Sequence, residues 1–383
     1  MNKIFKKSMI RAYIYGYLNK YYAVRETMSL TANAYMDYRK EELFAYLKKP
    51  YNADSFWGRF ICSFISVVEP SVSVFVVCIS SIIYTLRIPF AKKTNLENKS
   101  IVYDIGQTKL EKLLDDAELT PKDVILLIPP EKKNRLGFTC YSIFNFISIN
   151  ELWRCNLLSL RTIFLMNKKY KRIDIFFRSY SSLSFYMAFV VLEKLSHNNG
   201  FIYFSTYNRW AFIMGAINAR KTFVQHGVIG EYPFLIKCGF VDKGYFISPK
   251  QETLCKKYLL KGVGESFLQK SIKLNNSKLK LNGKKNILFV CHSKYHDLEL
   301  KYIPMIGASN NLYIKPHPLE SSAPYEAIIK DKNAIILDKA DFIEADIVLG
   351  YQSTLMEEYA NLGVPVHYYS DSDFDSVILT LTD

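Results

Sequence analysis

This chain is first narrowed by what it lacks. It has no C-x-x-C, and its seven cysteines (Cys62, Cys78, Cys140, Cys155, Cys238, Cys255 and Cys291) are scattered and odd in number. Disulfide frameworks and zinc sites need paired, closely spaced ligands, so free thiols in a reducing compartment are expected. No G-x-G-x-x-G, P-loop or nucleophile-elbow pattern is present, which weighs against the usual dinucleotide, kinase and hydrolase classes. H-E-x-x-H is missing too. His292 and His296 are four apart but have no third ligand in view, so no metal is expected. Recognition-helix, zinc-finger and RNP-type motifs are also absent, so nucleic acid is not an expected partner. No internal repeat or low-complexity tract occurs. The basic start, Met-Asn-Lys-Ile-Phe-Lys-Lys, lacks the apolar core of a secretory signal. Acidic residues are in deficit: 36 Asp and Glu against 50 Lys and Arg, a formal net charge of +14. That balance favours anionic partners, acidic lipid and phosphorylated substrates among them.

What is present is a globular composition, 49% apolar and 22% charged over 383 residues, with 28 Tyr and 26 Phe. The length suits two domains with cores of their own. Residues 1–95 read as a helical, aromatic-rich segment in which Tyr13, Tyr17 and Tyr21 share one helical face, a packing stripe. The apolar run Phe64 to Leu86 approaches membrane-spanning length. Glu69 and Pro70 interrupt it, so a buried or interface-lying segment is expected. Lys48, Lys49, Arg59, Arg87, Lys92 and Lys93 around it would suit anionic headgroups; the other reading is ordinary basic surface. From Ile101 strands and helices alternate, predicting a mainly parallel sheet over 96–273. Strands are expected at 100–104, 123–128, 173–177, 201–204 and 221–225, and helices at 109–119, 182–195 and 210–219. A polar Asn/Lys-rich stretch, 274–285, reads as a linker. A second α/β domain follows at 286–383, with strands at 286–291, 312–315, 334–337, 346–350 and 364–368. Two such domains are expected to face a cleft.

Four constellations could carry chemistry, all at the carboxyl ends of predicted strands, where open α/β sheets bind ligands. In Gln225-His226-Gly227, glycine permits close approach of a ligand, and an imidazole suits a base that takes a proton from an attacking hydroxyl. Glu231 in the same loop could orient His226 or replace it; the plainer reading is a loop cap. In Lys315-Pro-His317-Pro318 the two prolines stiffen the backbone around His317, fitting it to meet a phosphate. Lys315 could add charge or be a solvated surface lysine. In Gly350-Tyr-Gln-Ser353-Thr354, two hydroxyls and free N–H groups start a helix, a favourable place for an anion. A simple N-cap explains the same residues, and Thr354 stands three before Glu357, the spacing of a capping box. Ser293 and Lys294, after the strand ending at Cys291, could face the same ligand. Asp371-Ser-Asp373 has the D-x-D spacing that holds a metal in some sugar transferases, but here it sits in a polar tail and reads as solvated surface.

Over about 220–368 the chain resembles bacterial glycosyltransferases of the GT-B kind, two Rossmann-like domains facing a cleft. It is most similar to enzymes of capsule and O-antigen synthesis and to sialyl- and polysialyltransferases. His317-Pro318 and Ser353-Thr354 are similar to the nucleotide-phosphate motifs of that group, and Val290-Cys-His-Ser-Lys-Tyr295 resembles its donor-domain opening. Glu357 and Gly363-Val-Pro365 look like positions that line the nucleotide's ribose, and Gly350 belongs to the same nucleotide-side set. Where sialyltransferases carry an acidic pair before glycine, this chain has Gln225-His226-Gly227, which resembles the glycerol-phosphate polymerases that use CDP-glycerol. The resemblance implies an inverting, metal-independent transferase that needs no cofactor. It takes a CMP- or CDP-type nucleotide sugar as substrate and a lipid-linked oligosaccharide as acceptor. The expected place is peripheral, on the cytoplasmic face of the plasma membrane. A CDP-alditol phosphotransferase, a UDP-sugar 2-epimerase and a non-catalytic GT-B scaffold are the alternatives.

Overall fold

The computed structural model describes residues 9, 56–91, 94, 96–103, 114–115, 119–120, 122, 124–128, 138–169, 182–203, 209–230, 237–280, 282–292, 295–306, 309–317, 322–329, 334–338 and 341–382. The tyrosine stripe at 13–21, most of the helix expected at 109–119, the strand expected at 173–177, and Glu231, Ser293, Lys294 and Pro318 lie outside the described residues. The chain is α/β with two parallel sheets. It divides into two compact units, residues 1–225, 229–245 and 253–267, and residues 226–228, 246–252 and 268–383.

The first sheet has seven strands: β1 (Ser100–Tyr103), β2 (Val124–Ile128), β3 (Thr139–Ser142), β4 (Gly200–Tyr203), β5 (Lys221–Val224), β6 (Phe240–Phe246) and β7 (Gly262–Leu268). Their order is β3-β2-β1-β4-β5-β6-β7. The chain starts in the middle, builds outward to β3, then returns to add β4 on the other side of β1. Ile101 of β1 stands opposite Ile125 on one side and Phe201 on the other. Parallel neighbours need long crossovers, and helices supply them. Among the described helices of this unit are α1 (Phe56–Arg87), α2 (Ile149–Lys169), α3 (Ser182–Leu195) and α4 (Arg209–Ala216). α3 is apolar on all sides and buried along most of its length, the mark of a helix inside the core. A short helix, α5 (Pro249–Leu254), follows β6 and runs into one π-helical turn at Cys255–Leu259.

The second sheet, β8 (Asn286–Val290), β9 (Asn311–Lys315), β10 (Ala334–Ile336), β11 (Ile347–Gly350) and β12 (Val366–Tyr368), has the order β10-β9-β8-β11-β12. Successive side chains of β8 alternate between two cores: Ile287 and Phe289 join one, Leu288 and Val290 the other. Burial on both faces is why Asn-Ile-Leu-Phe-Val reads as a continuous apolar run. The helices α6 (His296–Ile306), α7 (Ala323–Ile329), α8 (Thr354–Asn361) and α9 (Phe374–Thr382) complete the unit. Each fully buried Ile or Phe contributes on the order of 1.5–3 kcal/mol relative to exposure.

Three features differ from the sequence reading. The stretch expected to be a free linker is fastened to the second unit. Asn275 N–H donates to the Phe342 carbonyl, Lys278 bridges Asp338 and Asp341, and Lys280 N–H donates to the Tyr313 hydroxyl. The tail after Tyr369 is not merely polar: α9 inserts Phe374, Ile378 and Leu381 into the core. Asp371 of the D-x-D accepts the Tyr368 N–H at 2.7 Å, closing a turn. Finally β3, β6 and β7 were not read as strands. β7 is an edge strand with most side chains half-buried or exposed, so it carries no apolar signature.

Candidate functional site

In the order β10-β9-β8-β11-β12 the winding reverses between β8 and β11, and the crevice beyond those two carboxyl ends is where such sheets take ligands. The chain leaving β8 presents His292, the chain leaving β9 presents His317, and the chain leaving β11 presents Tyr351. Their rings form a contiguous row. His292 meets His317 edge-on at 5.2 Å between centroids and Tyr351 at 4.7 Å. Tyr351 stacks on Tyr295 at 6.3 Å, and Tyr295 meets Tyr369, beyond β12, at 5.1 Å.

Under this row lies a buried carboxylate. Glu299, on the first turn of α6, is 0% exposed. It accepts hydrogen bonds from the His292 N–H (2.9 Å), the Tyr325 hydroxyl (2.6 Å) and the Tyr369 hydroxyl (3.0 Å). Burial pushes its carboxyl above the usual range, and the three hydrogen bonds oppose that. Burial also raises both phenols, which stay protonated as donors. The two histidines spaced four apart part company here. His296 turns its ring edge to Tyr325 at 5.5 Å, away from the row that His292 joins. Among the described residues no group of three His, Cys, Asp or Glu side chains is arranged to hold a metal ion.

Next along the chain from Tyr351 comes the start of α8. Its N-cap is Ser353, in extended backbone conformation, whose hydroxyl accepts the Met356 N–H at 3.4 Å. The cap is therefore Ser353 and not Thr354, and the capping-box spacing from Thr354 to Glu357 is not used. Glu357 instead accepts a hydrogen bond from the Ser248 hydroxyl at 3.4 Å, and Asn361 on the same helix donates to the Ile247 carbonyl. As an acceptor Ser353 still has its own O–H to give, and the first N–H groups of α8 are free of intrahelical partners. Thr354, on the first turn, faces the loop after β5: a Cβ placed on Gly227 would lie 3.8 Å from its hydroxyl oxygen. His226, the residue before, is exposed, while Gln225 is buried and donates its N–H to the Tyr245 carbonyl at 3.0 Å.

Two predicted site residues have different work. Lys315 is buried, and its ammonium donates to the carbonyls of Asp338 and Asp341 and lies over the Phe342 ring at 4.5 Å. Burial pushes its pKa down to about 8 against the pull of Asp341 and Asp338. This lysine ties the 338–341 loop to the end of β9, and its charge is spent there. Gly350 is needed for packing, since a Cβ there would sit 2.6 Å from the Val290 carbonyl oxygen and 3.2 Å from Met356 Sδ.

His317 and Ser353 are brought to the same edge but not into contact range by the backbone alone. β9 and β11 flank β8, so their ends are two strand spacings, roughly 10 Å, apart. His292 and Tyr351 fill the interval. Sequence reading missed both as site residues, along with Glu299. The signal available for His292 and Tyr351 was position: each is one past the residue where an expected apolar strand stops. No family model matches the chain, and no curated protein matches it.

Proposed function

We propose that the chain is an inverting glycosyltransferase of the GT-B kind, moving a sugar from a nucleotide donor to an acceptor hydroxyl. The observation that carries this reading is the meeting of the His226-Gly227 loop with Thr354 at the start of α8, beside the row His317–His292–Tyr351. A base and an anion-stabilising edge lie within one neighbourhood, as a single displacement requires.

In that displacement His226 takes the proton from the acceptor O–H. The oxygen's electron pair forms the new bond to the sugar's anomeric carbon from one face. The bond from that carbon to the donor phosphate breaks on the other, and its electrons remain on the phosphate oxygen. Inversion follows from the single step. The charge that grows on the leaving phosphate meets the Ser353 O–H, the free N–H groups of α8 and the imidazoles of His292 and His317. Groups fixed in place before the reaction lower the barrier most, because nothing must reorient as charge develops. Glu299 and Pro316, before His317, supply that fixity. The half-buried rings of Tyr351 and Tyr295 offer a stacking surface for a base or sugar.

The His-Gly pair also favours a second reading, an alditol-phosphate transferase using a CDP-linked donor, in which the same His226 would activate the acceptor. One experiment separates the readings. CMP, CDP and UDP are compared for their effect on the melting temperature, and then donors linked to each are incubated with and without acceptor. Saturation at about 100 times Kd should stabilise the chain by about 2.7 kcal/mol. A chain indifferent to all three nucleotides ends the transferase reading.

A further inference from the structure

The helix pair α1–α2 is apolar on its outward face. On α1 the buried face mixes Ser73 and Ser81 with Val77 and Tyr84, and on α2 Asn156, Ser159 and Thr162 share it with Leu152, Cys155, Leu158 and Ile163. Asn156 donates to Ser81 across the interface at 2.6 Å, and Thr162 shares a 2.5 Å hydrogen bond with Tyr186. The outward face carries large apolar side chains. Phe75 and Leu86 of α1 are 64% and 66% exposed, with Ile79, Ile82 and Ile83 between them, and the chain leaves the helix at Phe90. These positions recur every three or four residues and so form a single stripe. α2 repeats the pattern with Trp153, Leu157 and Phe164, each four to seven residues from the next.

A helix pair whose outer face meets water carries polar residues outside. A continuous apolar stripe on that face points to a different solvent. We propose that the outer face of α1 and α2 inserts into the surface of an anionic lipid membrane. From Ser71 to Leu86 α1 has no charged residue, so nothing on the stripe resists hydrocarbon. Arg87, Arg154 and Arg161 are exposed at the stripe's end and flank, placed to meet lipid phosphates while the stripe dips below them. α2 has one acidic residue, Glu151, and Lys194 already binds it at 2.7 Å. A second copy seated on this face would therefore set arginine against arginine with no counter-charge, whereas anionic headgroups supply one.

The contact is interfacial and not a span. Ser71–Phe90 is long and apolar enough to cross a bilayer, but its other face is packed against α2, which carries Glu151, Arg154 and Arg161 and cannot follow it through hydrocarbon. Amphipathic helices of this kind lie with their apolar face about 5–10 Å into the headgroup boundary. The assignment does not depend on the transferase reading.

The test is co-sedimentation of the purified full chain with phosphatidylglycerol-containing vesicles and with pure phosphatidylcholine vesicles. The wild type should bind the anionic vesicles. Phe75→Asp with Leu86→Asp should lower the partition coefficient by about tenfold or more, and Leu157→Asp on the other helix should lower it in the same direction. Arg154→Gln and Arg161→Gln should each cost about fivefold on anionic vesicles only. Melting temperatures should barely move, because these side chains already lie outside the core. Failure of the wild type to bind either vesicle overturns the proposal, as does binding unaltered by Phe75→Asp with Leu86→Asp and by Leu157→Asp. A concentration-dependent dimer that the aspartates dissolve, without vesicle binding, would overturn it in favour of a second copy. Resistance of the membrane-bound chain to alkaline carbonate would overturn it in favour of a span.

Discussion

Two helix pairs in this chain present opposite outer faces. In the second unit α6 and α9 turn Tyr302, Ile303, Ile306, Phe374, Ile378 and Leu381 inward and expose Asp297, Lys301 and Asp375. Met305 and Leu379 are their isolated exceptions, of the kind any soluble surface shows. In the first unit α1 and α2 turn serines, a threonine and an asparagine inward together with Val77, Leu152, Leu158 and Ile163, and expose a continuous apolar stripe. Apolar content alone does not separate the two cases, since α9 is itself rich in Val, Ile and Leu. What separates them is which face is covered. Buried polar groups differ in the same way: Glu299 holds the loops around it, whereas Ser81 and Asn156 are partners of each other across the α1–α2 interface.

The contrast predicts that chemistry and membrane contact can be broken one at a time. The largest effect should come from His226→Ala, which removes the base and should lower kcat by about 10²–10⁴-fold while vesicle binding stays at the wild-type level. A loss of vesicle binding in this variant would mean that the two regions are not independent. His317→Ala should follow, with a loss of about 10²–10³-fold in kcat, the scale of one preorganised donor to a developing anion, read as single-turnover rates at saturating donor. Lys315→Met should cost about 1–3 kcal/mol of stability in urea unfolding, because two carbonyls lose a buried donor, yet leave nucleotide affinity unchanged. A tenfold weaker nucleotide Kd with unchanged stability would return Lys315 to the phosphate site.

The smallest effect concerns pH. Burial raises the Glu299 carboxyl in the folded chain, so the native state holds that proton more tightly than the unfolded state does. Its contribution is fully present below the unfolded carboxylate range and is lost as pH rises through the folded value. Glu299→Gln should therefore flatten the fall in stability from acid towards neutral pH, measured as urea midpoints across that window. An unchanged slope would show that the carboxylate titrates as an ordinary one.

Much of the second sheet could be read from the chain because its strands are buried on both faces. Ile287 to Val290 and Ile347 to Leu349 announce themselves as uninterrupted apolar runs, and the residues that follow them fall at the carboxyl edge by construction. β3, β6 and β7 could not be read in this way. Phe240–Phe246 alternates around Asp242 and Lys243, and β7 has no covered face to leave a pattern. The site was partly legible for the same reason: His317 and Ser353 stand at strand ends within short motifs, whereas Glu299 is one acidic residue among several on a helix. Two of its three partners, Tyr325 and Tyr369, lie 26 and 70 positions away. Lys315 illustrates the converse, a residue at the right strand end whose long side chain reaches a different loop. Ser353 and Thr354 show how far local spacing can be trusted: both fit a cap, and the backbone settles on Ser353.

Glu299 joins the backbone after β8, the phenol after β12 and a phenol on α7 through one carboxyl group. Any guest that levered one of those pieces outward would strip the acid of a partner in a place water does not reach. The floor of the crevice is thus set in shape before a guest arrives, and selectivity among guests has to be written in the rim above it.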